Sequence, residues 1–465
     1  MSGLNWHDGG AEIEVRKFAS DNREHRQGVR SKDLRRPEAA ETSIVESVRS
    51  LERLLNRSIN IKSNSNTHLH YSLATASVSF VSNANKPTVF SRVGVVGAGQ
   101  LARMMGEASN DVGVEVTVLA TSPEDSAVST TSAFVVGAPN DLAALRSLAE
   151  KVDVITFDHE LVDLDVLEEL EGEGITFRPD SASLRFAVDK GFQRHAFRDA
   201  NIPVPRFLVV NSSRDERLRE FLDELGSLPV VKASRGGYDG RGVAFPSSPK
   251  ETLSLIAKMS KNGDVVVEER LELRSEVAQL VARSVDGSLV LYPVVDTVQR
   301  NGMCVEVHFP SHLDDAMQES ARELSNRVAD LVKGVGIMAI EYFVTGRGLI
   351  VNEVALRPHN SGHWSIEGAT TSQFAQHLRA VSAQSLGDVT PLTRHAVMVN
   401  VVGADEPGSL DAARDVEGTY VHDYGKSWRP GRKLGHVTVL ADGDGDPHVR
   451  AWTSARAYGT ATQEA

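Results

Sequence analysis

The stretch TVFSRVGVVGAGQLARMMGEASNDVGVEVTVLA, Thr88 to Ala120, limits the possible folds of this chain more than any other. Its pattern is an apolar strand, a glycine turn, a helix and a second apolar strand. The alternation continues downstream. DVITFD is a strand, DVLEELEGEG a helix, and a single helix is expected from about Ala182 to Ala200. NIPVPRFLVV leads into a strand, RDERLREFLDELG has amphipathic helical spacing, and LPVVKA and DVVVEERL are further apolar strands. EVAQLVARSVDGSLVLYPVV is a hairpin with Asp286-Gly287 at its turn. A helix from about Asp314 to Gly334 precedes a second hairpin, MAIEYFVTGRGLIVNEVAL. Such alternation predicts an α/β and α+β protein, and the sequence has no internal repeat.

The residues before this stretch are of another kind. KFASDNREHRQGVRSKDLRRPEAAE is charged and nearly free of large apolar side chains, so it cannot bury enough surface to offset the entropy of ordering. One amphipathic helix through Ile44, Val48, Leu51 and Leu55 is the exception and would serve a partner. Acids are too frequent here for a transit peptide. Residues 1–89 are therefore expected to be a disordered extension. The 465 residues allow roughly two to four domains. A net charge of −13 disfavours nucleic acid, whose phosphate backbone wants a basic face, but leaves room for a small anion in a local basic pocket. Cys304 stands alone, cannot form an internal disulfide, and fits a reducing, cytoplasmic setting. No apolar run nears the roughly 20 residues of a membrane span, and the chain does not open on a charged-then-apolar leader.

Four segments carry chemistry. Gly97-Ala98-Gly99-Gln100-Leu101-Ala102 fits G-x-G-x-x-A between a strand and a helix, where free N–H groups attract an anion. A dinucleotide would want an acid at the tip of the next strand, which instead ends VLATSP. Another phosphate ligand is favoured, with a bare tight turn as the alternative. In VVKASRGGYDGRGVAF, Val230 to Phe245, Lys232 ends an apolar strand and wants an anionic partner. Gly236, Gly237, Gly240 and Gly242 let backbone N–H groups approach one. No G-K-[ST] follows, so this is a glycine flap between strands rather than a Walker A loop, or else a flexible hairpin. In EYFVTGRGLIVNE a three-residue loop, Gly346-Arg347-Gly348, sets Glu341 opposite Glu353, with Cβ atoms roughly 4.5–5.5 Å apart. Carboxylates so placed repel unless a proton or cation lies between them. A phosphate-bound Mg²⁺ takes such oxygens, and Asn352 adds an amide oxygen if the strand bends; a solvated pair is the alternative. LRPHNSGHW then crowds Arg357, His359, Asn360 and His363 beside that pair. YGKSWRPGRKLGH makes a basic island of Lys426, Arg429, Arg432, Lys433 and His436, whose Pro430-Gly431 turn would converge them on one anion unless it is an ordinary solvated charge run.

In this order GAGQLARM, GGYDGRG, NE…RPHNSGHW and RPGRKLGH resemble the ATP-grasp superfamily and, within it, the N5-carboxyaminoimidazole ribonucleotide synthases, over about Val93 to His436. The resemblance implies an ATP-grasp fold. A Rossmann-like pre-ATP-grasp domain would span 90–203, the ATP-grasp domain 204–385, and a small β-rich, substrate-binding C-terminal domain 386–465. It implies ATP- and bicarbonate-dependent carboxylation of 5-aminoimidazole ribonucleotide through carboxyphosphate in purine biosynthesis, with Mg²⁺ or Mn²⁺. By that likeness Lys190 and Lys232 meet the ATP phosphates, and Gly237, Tyr238, Asp239, Gly240, Arg241, Gly242 and Val243 form the flap over them. Glu268, Glu269, Arg270 and Leu271 match the adenine-side hinge, Glu276 the ribose acid, and Gln299 a further nucleotide contact. Glu341 and Glu353, with Asn352, match the metal ligands. Arg357, His359 and Asn360 stand where bicarbonate and the substrate amine are handled. Gln100, Tyr238, Lys426, Arg429 and Arg432 match the ribonucleotide site. The flap would be a lid that excludes water when closed. A homodimer and coupling to a downstream mutase are also implied. Three positions depart from the family pattern: Leu356 where proline is usual, Gln299 where histidine is frequent, and DHELVD where E-x-E is usual. Competing readings are another ATP-grasp ligase or a formate-dependent transformylase acting on an amino-ribonucleotide, separated by the need for bicarbonate, and a nucleotide-binding regulatory protein, separated by an ATPase assay.

Overall fold

The computed structural model describes residues 88–461, except 238–241, 301 and 442–445. The first sheet holds β1 (Arg92–Val96), α1 (Gln100–Val112), β2 (Glu115–Ala120), β3 (Ala133–Val136), α2 (Leu142–Ala149) and β4 (Val154–Phe157), with strand order β3-β2-β1-β4 and every pair parallel. Helices cover its faces, so β1, β2 and β4 are buried almost throughout and carry near-continuous apolar runs. After α3 (Leu164–Gly172) the expected single helix is two, α4 (Ser181–Val188) and α5 (Lys190–Asp199). Asp189 breaks it: its backbone leaves the helical region (φ −122, ψ 98), and its carboxylate accepts from the Phe192 N–H. A capping aspartate competes with helix continuation in this way. The break makes Lys190 the first residue of α5.

The second sheet contains β5 (Phe207–Val210), α6 (Glu216–Leu225), β6 (Val230–Ala233), β7 (Val243–Ala244), α7 (Pro249–Met259) and β8 (Val265–Glu268), antiparallel in the order β5-β8-β6-β7. The remaining strands form one antiparallel sheet. They are β9 (Ser275–Arg283), β10 (Leu289–Leu291), β11 (Val295–Arg300), β12 (Met303–Phe309), then α8 (Asp315–Val332), β13 (Gly336–Thr345), β14 (Gly348–Ala355), α9 (Ser365–Gly368) and α10 (Gln373–Val381), and finally β15 (His395–Val402), α11 (Leu410–Arg414), β16 (Thr419–Asp423), β17 (Lys433–Ala441) and α12 (Pro447–Ala457). Its order is β14-β13-β9-β11-β12-β15-β17-β16, with β10 beside β9. The C-terminal strands thus extend the sheet that carries the glutamate hairpin.

Buried side chains lock the first sheet to the third. His377 on α10 meets Thr156 Oγ1 at the end of β4 through Nε2 (2.8 Å), and its Nδ1 accepts the Ile337 N–H at the start of β13 (3.0 Å). Burial pushes this imidazole down to about 3, so it stays neutral and can accept. Gly336 sits at φ +120, and a Cβ there would come within 2.8 Å of the His377 ring. Among the described residues, no helix is long and apolar enough to cross a membrane.

Candidate active site

The glutamate hairpin is the centre of the site. Glu341 and Glu353 are direct partners across β13 and β14. The route to that pairing differs from the sequence expectation. The loop has two residues, Gly346-Arg347, because Thr345 already pairs with Gly348. A register shift after Glu341 then leaves Asn352 as an extra residue, since Tyr342 pairs with Val351 and Glu341 with Glu353. The turn is one residue shorter than expected and the bulge one longer, and the two offsets cancel. A bulge re-aims side chains, which brings Asn352 into the site as well. Its Nδ2 donates to Glu341 Oε2 (3.3 Å), and its Oδ1 accepts from Lys232 Nζ (3.5 Å).

Two lysines converge here from separate elements. Lys190 Nζ lies 2.8 Å from Glu353 Oε2. Lys232, at the end of β6, pairs with Glu268 Oε2 at 2.7 Å. They meet because the start of α5 docks on the end of β6. The Lys190 N–H donates to Ser234 O (2.8 Å), the Gly191 N–H to Ser234 Oγ (2.9 Å), and Ser234 Oγ donates to Asp189 Oδ1 (2.7 Å). A Cβ on Gly191 would sit 2.9 Å from Ser234 Oγ, so this approach needs glycine. Arg194, one turn along α5, donates to Glu268 Oε1 (2.6 Å) and to the Asn352 carbonyl (2.7 Å). Arg194, Glu268 and Lys232 form a buried charge triad. Burial alone would raise the Glu268 carboxyl, but the charges of Arg194 and Lys232 outweigh it and hold it at about 2.

The carboxylates of the hairpin are held in opposite states. The Lys190 charge draws Glu353 down to about 2. Burial, then the charges of Glu353 and Glu276, push Glu341 up to about 8. Glu276, two residues along β9 from the Ala278 that pairs with Glu341, is pushed by burial up to about 7. Three carboxyl groups close enough to shift one another, two of them (Glu341 and Glu276) ionised only with difficulty, form a site that a hard divalent cation would relieve. The donor set of Glu341, Glu353 and the bulged Asn352 therefore fits Mg²⁺.

On the other side of the hairpin, Arg357 Nε is held by Glu160 Oε2 (2.7 Å), which also accepts the Leu356 N–H on its second oxygen (3.3 Å). His359 Nε2 lies 3.5 Å from Glu341 Oε1, and its Nδ1 is 2.9 Å from Ser361 Oγ. Gln373 clamps this loop, accepting the His359 N–H (2.8 Å) and donating to the His359 carbonyl (2.7 Å). Asn360 Nδ2 lies 3.5 Å from the Cys304 carbonyl. At the glycine turn of the first sheet, the Gly99 N–H donates to Asp158 Oδ2 (2.6 Å), while the buried Asp158 Oδ1 has no hydrogen-bond partner among the described residues and lies 3.8 Å from His159 Nε2. Gly97 has φ +104, and a Cβ there would overlap the Asp158 carboxylate. Gln100, the first residue of α1, accepts from Lys426 Nζ, bringing together residues 326 positions apart.

The sequence-expected residues do not all gather equally. Arg432 donates to the Ser427 carbonyl (3.1 Å) and Oγ (2.8 Å), while Arg429 is exposed on its turn. Glu269 is tied to Arg206 (3.2 Å) and Arg347 (2.7 Å), and the Arg270 guanidinium lies over Phe245 (5.4 Å). Leu271 follows them, and Gln299 lies two residues beyond Thr297, the partner of Glu276. Gly242 (φ +79) returns the chain to β6 by accepting from the Ala233 N–H (2.8 Å), and Val243 pairs with Lys232. Tyr238, Asp239, Gly240 and Arg241 lie outside the described residues, as do the expected helix from Ile44 to Leu55 and the extension around it.

Two histidines are corrected. His363 and His436 are core residues, 2% and 0% exposed, with ring centroids 4.8 Å apart. Burial drives both well below the ordinary histidine range, so neither adds charge to the loop or to the basic island. Sequence reasoning missed Arg194 and Gln373, and it set aside Asp158 and Glu160 by treating DHELVD as a departure from the family pattern. The signal for Asp158 and Glu160 was present: an acid-x-acid pair following the apolar strand VITF, where the ends of parallel strands form sites.

Comparison with known proteins places these residues in a family context. Residues 90–188 match the ribonucleotide synthetase preATP-grasp domain, 195–374 the ATP-grasp domain, and 396–446 the phosphoribosylaminoimidazole carboxylase C-terminal domain. The N5-carboxyaminoimidazole ribonucleotide synthase of Mycobacterium tuberculosis is 42% identical over 358 residues, 75% of this chain and 83% of that protein. The crystal structure of the Thermus thermophilus synthetase superposes with a TM-score of 0.73 at 32% identity, covering 80% of this chain and 100% of that one. The Aspergillus clavatus enzyme in complex with ADP and 5-aminoimidazole ribonucleotide superposes with a TM-score of 0.72 at 28% identity, covering 80% and 98%.

Proposed function

The chain belongs to the N5-carboxyaminoimidazole ribonucleotide synthases, ATP-dependent ligases of purine biosynthesis that carboxylate 5-aminoimidazole ribonucleotide, and from that premise we propose how its residues divide the work. The observation that carries the proposal is the convergence of Lys190, Lys232, Asn352, Glu341, Glu353 and His359 through contacts of 2.8 to 3.5 Å from four separate segments.

Lys190 and Lys232 meet the ATP phosphates. Their present carboxylate partners hold them in place, and exchanging a carboxylate for a phosphate oxygen keeps each buried ammonium paired. Glu341 and Glu353, with Asn352, hold Mg²⁺, which when bound supplies charge neutralisation on the transferred phosphoryl oxygens. The Glu268 carboxylate stays on Arg194 when Lys232 turns to phosphate, so at the adenine-side hinge its side chain is not offered to the base, and the backbone of Glu268 to Leu271 meets it. Glu276 takes the ribose, and Gln299 adds a nucleotide contact. The flap from Gly237 to Val243 covers the phosphates.

A bicarbonate oxygen attacks the γ-phosphorus, ADP leaves, and carboxyphosphate forms. Arg357, His359 and Asn360 orient bicarbonate and the substrate amine. That amine forms the new C–N bond while phosphate departs, and its proton is released. Glu160 fixes the Arg357 guanidinium and Gln373 fixes the His359 backbone, so the loop is pre-organised. Gln100, Tyr238, Lys426, Arg429 and Arg432 bind the ribonucleotide, with Gln100 and Lys426 joining the glycine turn to the C-terminal segment. We assign 90–203, 204–385 and 386–465 as the three domains. A cytoplasmic homodimer whose unstable carbamate passes to a mutase completes the proposal.

The test is ADP formation in four mixtures. It should require both aminoimidazole ribonucleotide and bicarbonate, and formate in place of bicarbonate should not restore it. Turnover supported by formate would identify a transformylase instead.

A further inference from the structure

One cluster outside the active site has the composition of a metal centre. Glu306 and His308 stand two apart on β12, so their side chains share a face of the sheet. His448, in the first turn of α12, reaches the same point. Nε2 of His308 and Nε2 of His448 lie 2.9 and 3.0 Å from one oxygen of Glu306, and all three ligand atoms fall within 4.8 Å of one another. The two rings stack with centroids 5.7 Å apart. Glu306 is fully buried, whereas the side chains of His308 and His448 are 30% and 25% exposed. The carboxylate is therefore fixed and the imidazoles open a path to solvent.

We propose that Glu306, His308 and His448 bind a divalent transition ion of the zinc class and thereby tie β12 to α12. Two imidazole nitrogens and one carboxylate oxygen suit zinc, cobalt or nickel and are poor ligands for Mg²⁺. Ligand atoms about 2.0–2.2 Å from a tetrahedral ion sit roughly 3.3–3.5 Å from one another. The two nitrogen–oxygen separations must open by about half an ångström to reach that spacing, while the two nitrogens already lie within 4.8 Å of each other, and small rotations of two partly exposed rings supply the adjustment. Water would take the fourth position from the solvent side. No oxidant or reductant is needed, since zinc binds without redox change. The site differs in chemistry from the all-oxygen set at Glu341 and Glu353, and no residue is shared.

The experiment uses the full chain, stripped with chelator and held in excess Mg²⁺ so that the oxygen site is occupied. Zn²⁺ is titrated calorimetrically, and Co²⁺ is followed by its visible ligand-field absorption and by quenching of Trp452, whose ring centroid is 6.5 Å from that of His448. The expected result is a single equivalent of tight binding, an imidazole-type cobalt spectrum, and a higher melting temperature with Zn²⁺. All three should disappear in His448→Gln and in His308→Gln, which preserve polar contacts with Glu306. Melting of the chelated variants like the wild type confirms that they fold. Absence of a stoichiometric step in the wild type overturns the proposal and leaves a hydrogen-bonded cluster. A step of the same size and affinity in both variants overturns it equally, by placing the ion elsewhere.

Discussion

Replacing Glu341 by Gln should remove a pH dependence that the fold itself creates. The Glu341 carboxyl sits at about 8 in the folded, metal-free protein, against an ordinary 4.5, because of burial and then the charges of Glu353 and Glu276. Between those limits the folded chain holds a proton that the unfolded chain has released. Stability from this group is fully present below the unfolded value and is lost as pH rises through the folded one. The separation, at about 1.4 kcal/mol per pH unit, sets an upper bound of about 5 kcal/mol. An independent figure comes from Coulomb's law: two like charges about 5 Å apart at an effective dielectric constant of about 20 repel by about 3 kcal/mol. We adopt about 3 kcal/mol. Glutamine cannot ionise, so Glu341→Gln should not pay this penalty. The assay is urea unfolding of chelated wild-type and variant protein from pH 5 to 9. Glu276, at about 7, titrates in both proteins and largely drops out of the difference. Wild type should lose about 3 kcal/mol relative to the variant across that range. Mg²⁺ at high pH should restore the wild type and leave the variant unchanged. ATP turnover should be lost in the variant. Parallel stability curves would refute the reasoning, because they would mean that Glu341 ionises in the fold as freely as in water.

Arg194→Met should destabilise the protein by about 3–5 kcal/mol, since it strips one partner from the buried Glu268; equilibrium unfolding measures this, and a loss below about 1 kcal/mol would dismiss the triad as a structural unit. Lys426→Ala and Arg432→Ala should each raise KM for the ribonucleotide by about ten- to a hundredfold, the equivalent of roughly 1.5–3 kcal/mol per charge-assisted bond, while KM for ATP stays in place. A larger shift in the ATP constant would assign the basic island to the nucleotide. Removing the residues before Thr88 should leave kcat/KM within a few-fold, because the family match begins at residue 90; failure of the truncated chain to fold would make that segment structural.

Much of the site was legible from short-range pattern. Periodicity gave the parallel strands because burial on both faces writes itself as an apolar run, and β-pairing put Glu341 opposite Glu353. The details behind that pairing were not legible. Nothing in TGRG distinguishes a two-residue from a three-residue loop, and the bulge at Asn352 is chosen by the sheet as a whole. The break at Asp189 was hidden because AVDKGFQRHAF keeps helical periodicity across it; the competing term is a side-chain cap combined with docking on Ser234. Arg194 looked like an ordinary polar position on an amphipathic helix, and only the approach of β8 and β14 turns it into a buried partner. His363 and His436 misled for the opposite reason. A histidine in a donor-rich segment has no sequence mark for burial, and the tilted ring contact they form depends on the approach of distant elements.

The central claim is that the lysines and carboxylates of the hairpin serve phosphoryl transfer to bicarbonate. It is tested most directly by running the reaction with ¹⁸O-labelled bicarbonate and analysing the inorganic phosphate by mass spectrometry. Attack of a bicarbonate oxygen on the γ-phosphorus leaves that oxygen on phosphorus when the carboxyl group moves to the amine, so the phosphate released should carry one labelled oxygen per turnover. Labelled carbamate together with unlabelled phosphate would contradict the account, because ATP would then have been spent without activating bicarbonate.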